Sequence, residues 1–136
     1  MNVYIYREEE INVGQEIVVD SLFEDYEFGV VFEDDGTTGY FYAVHNEKGI
    51  LDALHIYDVE NVSDKHIPSI VKILWNEDLS KSFLSINNYY HAIFDFKNKA
   101  GYCRNGFPES HGNWIKVKNR ILTDDLLVKL DWRMED

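Results

Sequence analysis

The chain has 136 residues, 45% of them hydrophobic and 15% aromatic, which is enough for one hydrophobic core and too apolar for disorder, so residues 1–136 are read as a single domain. The formal net charge of −12 is unevenly held: residues 1–60 carry fifteen acids against Arg7 and Lys48, net −13, whereas residues 61–136 carry ten acids and eleven bases, net +1. Such a field repels phosphates, which argues against nucleic acid as a direct partner, and it suits a cationic protein whose association it can speed by about 10–1000-fold. A solvated face that keeps the chain soluble accounts for the same charge.

The opening MNVYIYREEE lacks a basic region followed by a long apolar stretch, so it does not read as a signal peptide. No segment reaches the roughly 18 apolar residues needed to span a bilayer, and no membrane partner is expected. The single cysteine, Cys103, cannot form an internal disulfide, which favours a reducing, cytoplasmic location.

Period-2 alternation dominates the chain. Over residues 27–33, Phe28, Val30 and Phe32 point one way, with Glu27, Val31 and Glu33 opposite. Asp34-Asp35-Gly36 then signals a hairpin turn, because glycine tolerates positive φ. Residues 39–45 resume the alternation, with Phe41 and Ala43 facing away from Tyr40, Tyr42 and Val44. Further strands are expected at 53–59, 70–75, 82–87 and 89–96, with a short one at 102–104. In 89–96, Tyr90, Ala92, Phe94 and Phe96 form one face and Tyr89, His91, Ile93 and Asp95 the other. Residues 105–113, rich in glycine and polar side chains, read as a loop. At 123–134 the period changes: Leu126, Leu127 and Leu130 have helical spacing, Thr123 suits an N-cap, and Asp124 and Asp125 suit the positive helix end. The expected fold class is α+β, β-dominated, with mostly antiparallel sheets of hairpins and a C-terminal helix.

Catalytic signatures are sparse. His91 and Asp95 share a strand face but lie roughly 13 Å apart at about 3.3 Å per residue, so they do not form a dyad without a bulge. Asp95 with Arg104, across the intervening turn, is the more natural pair, and such cross-strand ion pairs are more often structural. The five histidines show no metal-ligand spacing. The Asp34-Asp35-Gly36 tip lacks the ladder of a helix-loop-helix calcium loop, so no metal and no cofactor are expected there beyond weak cation attraction. Cys103 beside Arg104 has no base near it in sequence and reads as a buried small hydrophobe. The chain is expected not to be an enzyme. What remains is surface chemistry: Tyr40 and Tyr42 on one strand face, His55 and Tyr57 on the next, and carboxylates around them, a combination in which rigid rings bury area and acids select a basic partner.

The blocks FEDDGTTGYFYA and INNYYHAIFDFKNKAGYCRNGFP resemble a family of small bacterial proteins classed as a domain of unknown function. They cover about a third of the chain. The chain departs from the resemblance at Asn87-Asn88-Tyr89-Tyr90, where the family would be expected to turn on proline or glycine. The resemblance implies a bacterial source and a common role in fold or site for Asp35, Gly36, Thr38, Gly39, His91, Asp95 and Arg104, and it supplies no activity. By type, small acidic bacterial proteins of this kind are often immunity proteins that cover the active site of a basic toxin nuclease.

The expectation is therefore an acidic cytoplasmic binding protein for a basic protein partner, contacting it through Glu33, Asp34, Asp35, Tyr40, Tyr42 and Asp58. The first alternative is a small-ligand protein or enzyme with a pocket around His91, Asp95 and Arg104, joined by His45. The second is a homodimeric module that buries the exposed tyrosines against a second copy.

Overall fold

A computed structural model describes residues 2–105, 120–129 and 133–134. In chain order the strands are β1 (Asn2–Ile11), β2 (Ile17–Ser21), β3 (Phe28–Asp34), β4 (Thr38–His45), β5 (Gly49–Asp58), β6 (Ser69–Asn76), β7 (Lys81–Ile86), β8 (Tyr89–Asp95), β9 (Ala100–Cys103) and β10 (Arg133–Met134). One 3-10 turn (Val59–Asn61) follows β5, and one short helix, α1 (Asp124–Lys129), precedes β10. The strands form a six-stranded sheet, β10-β1-β6-β7-β8-β9, and a four-stranded sheet, β2-β3-β4-β5. Every neighbouring pair is antiparallel except β1 with β10. The β-dominated α+β class expected from the sequence is the observed one.

The two sheets pack face to face. Their shared core takes Val19, Val30, Phe32, Phe41 and Leu54 from the smaller sheet and Ile11, Val71, Ile73, Trp75, Leu84 and Phe94 from the larger. Phe41 stacks on Phe94 across the layers, ring centroids 5.0 Å apart, a contact worth about 0.5–1.5 kcal/mol beyond its buried area. The outer face of the six-stranded sheet is also apolar: Val3, Leu74, Phe83, Tyr90 and Ile93 lie there under Leu122 and Leu127. The C-terminal segment thus acts as a cover. The four-stranded sheet keeps its outer face open to solvent among the described residues, and that asymmetry positions the candidate site.

Several sequence expectations change in detail. β1 and β2, which alternation did not flag, add a strand to each sheet: β1 lies between β10 and β6, and β2 forms one edge of the smaller sheet. The helix ends at Lys129, and Arg133 and Met134 pair with β1 instead of continuing it. The loop expected at 105–113 lies, after Asn105, outside the described residues. The β7–β8 turn uses Asn87 and Asn88, both at positive φ (53° and 65°), a type I′ geometry that asparagine reaches without glycine. Of the four register shifts among the described strands, two move side chains off the faces expected for them. In β8, Ser85 faces Tyr90 while Leu84 faces Ala92, so His91 is the extra residue and Tyr90 turns to the outer core with Ile93. In β5, Tyr40 faces His55 while Gly39 faces Tyr57, so Ile56 is extra and Tyr57 turns inward, away from His55. An inserted residue reverses the alternation beyond it, which is why Tyr90 and Tyr57 leave their expected faces.

Candidate functional site

The β3–β4 tip is built around two adjacent aspartates with opposite environments. Asp34 is 1% exposed. Its carboxylate accepts the backbone N–H of Gly14 and of Gly36, each at 2.8 Å, and the Tyr57 hydroxyl at 2.7 Å. Burial first, and then this carboxylate, hold the Tyr57 phenol well above its ordinary range. Gly36, at φ 96°, makes the turn. Gly39 is needed because a Cβ there would meet the Tyr57 ring at 2.7 Å. The expected contact role of Asp34 is therefore corrected: a side chain sealed under the tip offers no surface to a partner.

Asp35 is exposed and accepts the N–H of Thr37 at 2.9 Å and of Thr38 at 2.8 Å. Those two backbone donors hold its carboxyl below the usual aspartate value. Glu33, on the outer face of β3, accepts the Tyr42 hydroxyl at 3.2 Å. Burial, followed by the Glu33 charge, pushes the Tyr42 phenol up to about 12. Along the same face Tyr42 stacks on Tyr40 (centroids 5.7 Å, planes 23° apart), and Tyr40 lies over His55 (5.6 Å, 34°). His55 Nε2 and Asp58 Oδ1 are 3.0 Å apart. The result is a row of three rings with a carboxylate at each end. Val18, 58% exposed and paired with Glu33, extends its apolar edge.

Two shallow depressions border this row. One, about 360 Å³, runs past Glu16, Val18, Glu33 and Asp35. The other, about 410 Å³, opens at the end of β5, where Asp58, Asn61 and Asn105 meet walls from Ile56, Tyr57 and Val62. Among the described residues, no lysine or arginine forms an ion pair with Glu16, Glu33, Asp35, Asp58 or Glu60.

The fifteen early acids do not all gather here. Asp52 is buried and paired with Arg120. Arg7 holds Glu9 at 2.9 Å and Asp20 at 3.0 Å, and Lys72 approaches Glu8 at 4.0 Å. Glu27 pairs with His45 at the other end of β3. The expected single patch is thus a smaller one at the tip end of the four-stranded sheet. Of the expected contact residues, Glu33, Asp35, Tyr40, Tyr42 and Asp58 lie on or beside it. Glu16, Val18 and His55 join them: Val18 lies on the unflagged β2 edge and Glu16 just before it, although the apolar run Ile17-Val18-Val19 carried a strand signal.

The alternative pocket is not assembled. Arg104 donates to the carbonyls of Tyr90 (2.8 Å) and Leu122 (3.2 Å) and to Asp124 (3.2 Å), with its guanidinium 4.4 Å over the Tyr89 ring. Asp95 accepts instead from the Asn98 backbone (3.1 Å) and side chain (2.8 Å), with Lys81 at 3.9 Å. The Asp95–Arg104 pair does not form, because the β8–β9 register places Asp95 opposite Ala100 and carries Arg104 past the end of the ladder. His91 and Arg104 are neighbours, joined by the Arg104 N–H to the His91 carbonyl at 3.1 Å. Burial first, and then the Arg104 charge, push the His91 imidazole down to about 4. His45 sits elsewhere, its Nδ1 accepting the N–H of Glu47 and Lys48. Cys103 is buried. Among the described residues, no group of three or more His, Cys, Asp or Glu side chains could hold a metal ion. Among the same residues, no helix is long and apolar enough to cross a membrane.

Comparison with known proteins gives a family without an assigned activity. No solved structure matches the chain. An uncharacterised protein of Haemophilus influenzae (strain Rd) is 45% identical over 85 residues, covering 60% of this chain and 53% of that protein, so the chain aligns with about half the length of that relative. A family model described as an uncharacterised protein conserved in bacteria, DUF2251, matches residues 11–131. The chain belongs to this bacterial family.

Proposed function

We propose that this protein is an acidic, cytoplasmic binding protein, not an enzyme, that docks a cationic protein on the open face of its four-stranded sheet. A toxin nuclease, whose substrate groove must be basic to hold phosphates, is the partner class that this charge fits best. The observation that carries the reading is the ring row Tyr42–Tyr40–His55, bounded by Glu33 and Asp58 and uncompensated by any described lysine or arginine. Tyrosine rings supply rigid contact area at low entropic cost, and flanking carboxylates steer and select the partner. A second copy of the chain suits this face less well, since a two-fold contact would set the Glu33, Asp35 and Asp58 carboxylates of one copy against the same acidic face of the other.

Co-purification tests this reading. The tagged chain, recovered from its bacterial host at low and at high salt, should retain a basic protein at low salt only. A Glu33→Lys/Asp35→Lys variant should lose that protein. Equal recovery by both forms would overturn the reading.

A further inference from the structure

The depression at the end of β5 has a composition distinct from the surrounding acidic surface. Its volume, about 410 Å³, falls within the roughly 300–1,000 Å³ of small-ligand sites. It presents acceptors with spare capacity. Asp58 gives one oxygen to His55, and its second oxygen has no hydrogen bond among the described residues. The Asn61 side chain has none either. Asn105 donates its amide N–H groups to the carbonyls of His55 (3.2 Å) and Ile56 (2.9 Å), which fixes the amide orientation and leaves Oδ1 as an acceptor with no hydrogen bond among the described residues. Among the described residues no lysine or arginine lines the cleft, and Ile56 and Val62 give it apolar walls.

We infer that this cleft seats one arginine side chain of the partner, with its guanidinium on Asp58 and the two asparagine oxygens and its methylenes on the apolar walls. A guanidinium offers five donors in a planar fork, matching several acceptors at once, whereas an ammonium is a strongly hydrated point charge. The inference rests on the docking reading above and adds the residue that the partner supplies. Through His55, whose ring lies tilted against that of Tyr40, the cleft is continuous with the aromatic row, so an arginine seated there would orient the rest of the partner over the tyrosines.

The test is an amide NMR titration with the blocked tripeptide acetyl-Gly-Arg-Gly-amide and its lysine and citrulline counterparts. Citrulline keeps the shape and removes the charge. The arginine peptide should give saturable shifts at the Tyr57 and Asp58 backbone amides and at the Asn61 and Asn105 side-chain amides. The lysine peptide should bind more weakly and the citrulline peptide not at all. Asp58→Asn, an isosteric change at a half-exposed side chain, should weaken arginine-peptide binding roughly two- to fivefold, while Glu47→Gln, in the turn between β4 and β5, should not. Equal binding of citrulline and arginine, non-saturating shifts over all acidic surfaces, or no effect of Asp58→Asn would overturn the inference. If the arginine peptide gives no shifts while the basic protein is still captured, the anchor fails and the docking face stands. If the cleft binds the peptide and no basic protein is captured, the docking reading fails and the cleft stands.

Discussion

Tyr57 donates its hydroxyl to the Asp34 carboxylate at 2.7 Å, across 23 residues of chain, and this contact locks the hairpin tip to β5. The same carboxylate ties in the β1–β2 loop through Gly14. Asp34→Ala would leave three part-buried donors without this acceptor and should cost about 3 kcal/mol, with Tyr57→Phe nearer 1–2 kcal/mol. Urea unfolding of both variants and of the double variant checks this, and the double should cost less than the sum of the singles. Asp35→Asn, one residue away and exposed, should change stability far less.

The buried Asp52–Arg120 pair joins the four-stranded sheet to the segment just before α1, and Arg120 also donates to the Gly101 carbonyl at 3.0 Å. Removing either partner alone takes one member from a buried ion pair and leaves the other charge in the core. Asp52→Ala and Arg120→Met should each cost about 3–5 kcal/mol. Thermal unfolding should show both singles well below wild type, with Asp52→Leu/Arg120→Met recovering part of the loss.

His91 sets a pH dependence with a definite sign. Its imidazole is held down to about 4 in the folded protein, below the unfolded value of about 6.5, so the unfolded state binds the extra proton between those limits. Stability from this group is fully present above pH 6.5 and declines as pH falls toward 4. At pH 5.5, still above the isoelectric point of about 4.7 that the composition implies, the loss relative to pH 8 should be about 1 kcal/mol. His91→Gln should remove that part of the pH dependence in urea titrations. Imidazole resonances of His91 should show no titration between pH 8 and 5.5, and a midpoint near 6.5 would contradict the assignment.

Much of the architecture is legible in the alternation of Phe28, Val30 and Phe32 against Phe41 and Ala43, because a two-residue period maps directly onto the two faces of a strand. The bulges are not. Nothing local to Ile56 or His91 announces an extra residue, and each turns the tyrosine beside it, Tyr57 or Tyr90, to the other face. Asp34 and Asp35 show the same limit at the site. They are adjacent and chemically identical, yet one is sealed by a backbone amide twenty residues upstream and a tyrosine twenty-three downstream. The charge asymmetry was real, but Arg7, Lys72 and Arg120 neutralise part of it through contacts that only the folded chain creates.

The aromatic row makes a separate demand. Tyr40→Ala and Tyr42→Ala remove contact area from an exposed sheet face, so stability should fall by about 1 kcal/mol or less each. Affinity for the basic partner should fall by more, about 2 kcal/mol for a residue at the centre of a contact. Paired unfolding and binding measurements on the same variants separate the two effects.

Most direct is the salt dependence of affinity for the recovered basic partner, measured by calorimetry for wild type and for Glu33→Lys/Asp35→Lys. Wild-type binding should weaken steeply as ionic strength rises, and the variant should bind at least tenfold more weakly at low salt with a flatter slope. Identical affinity and identical slope for the two proteins would contradict the placement of the docking face on the open side of the four-stranded sheet.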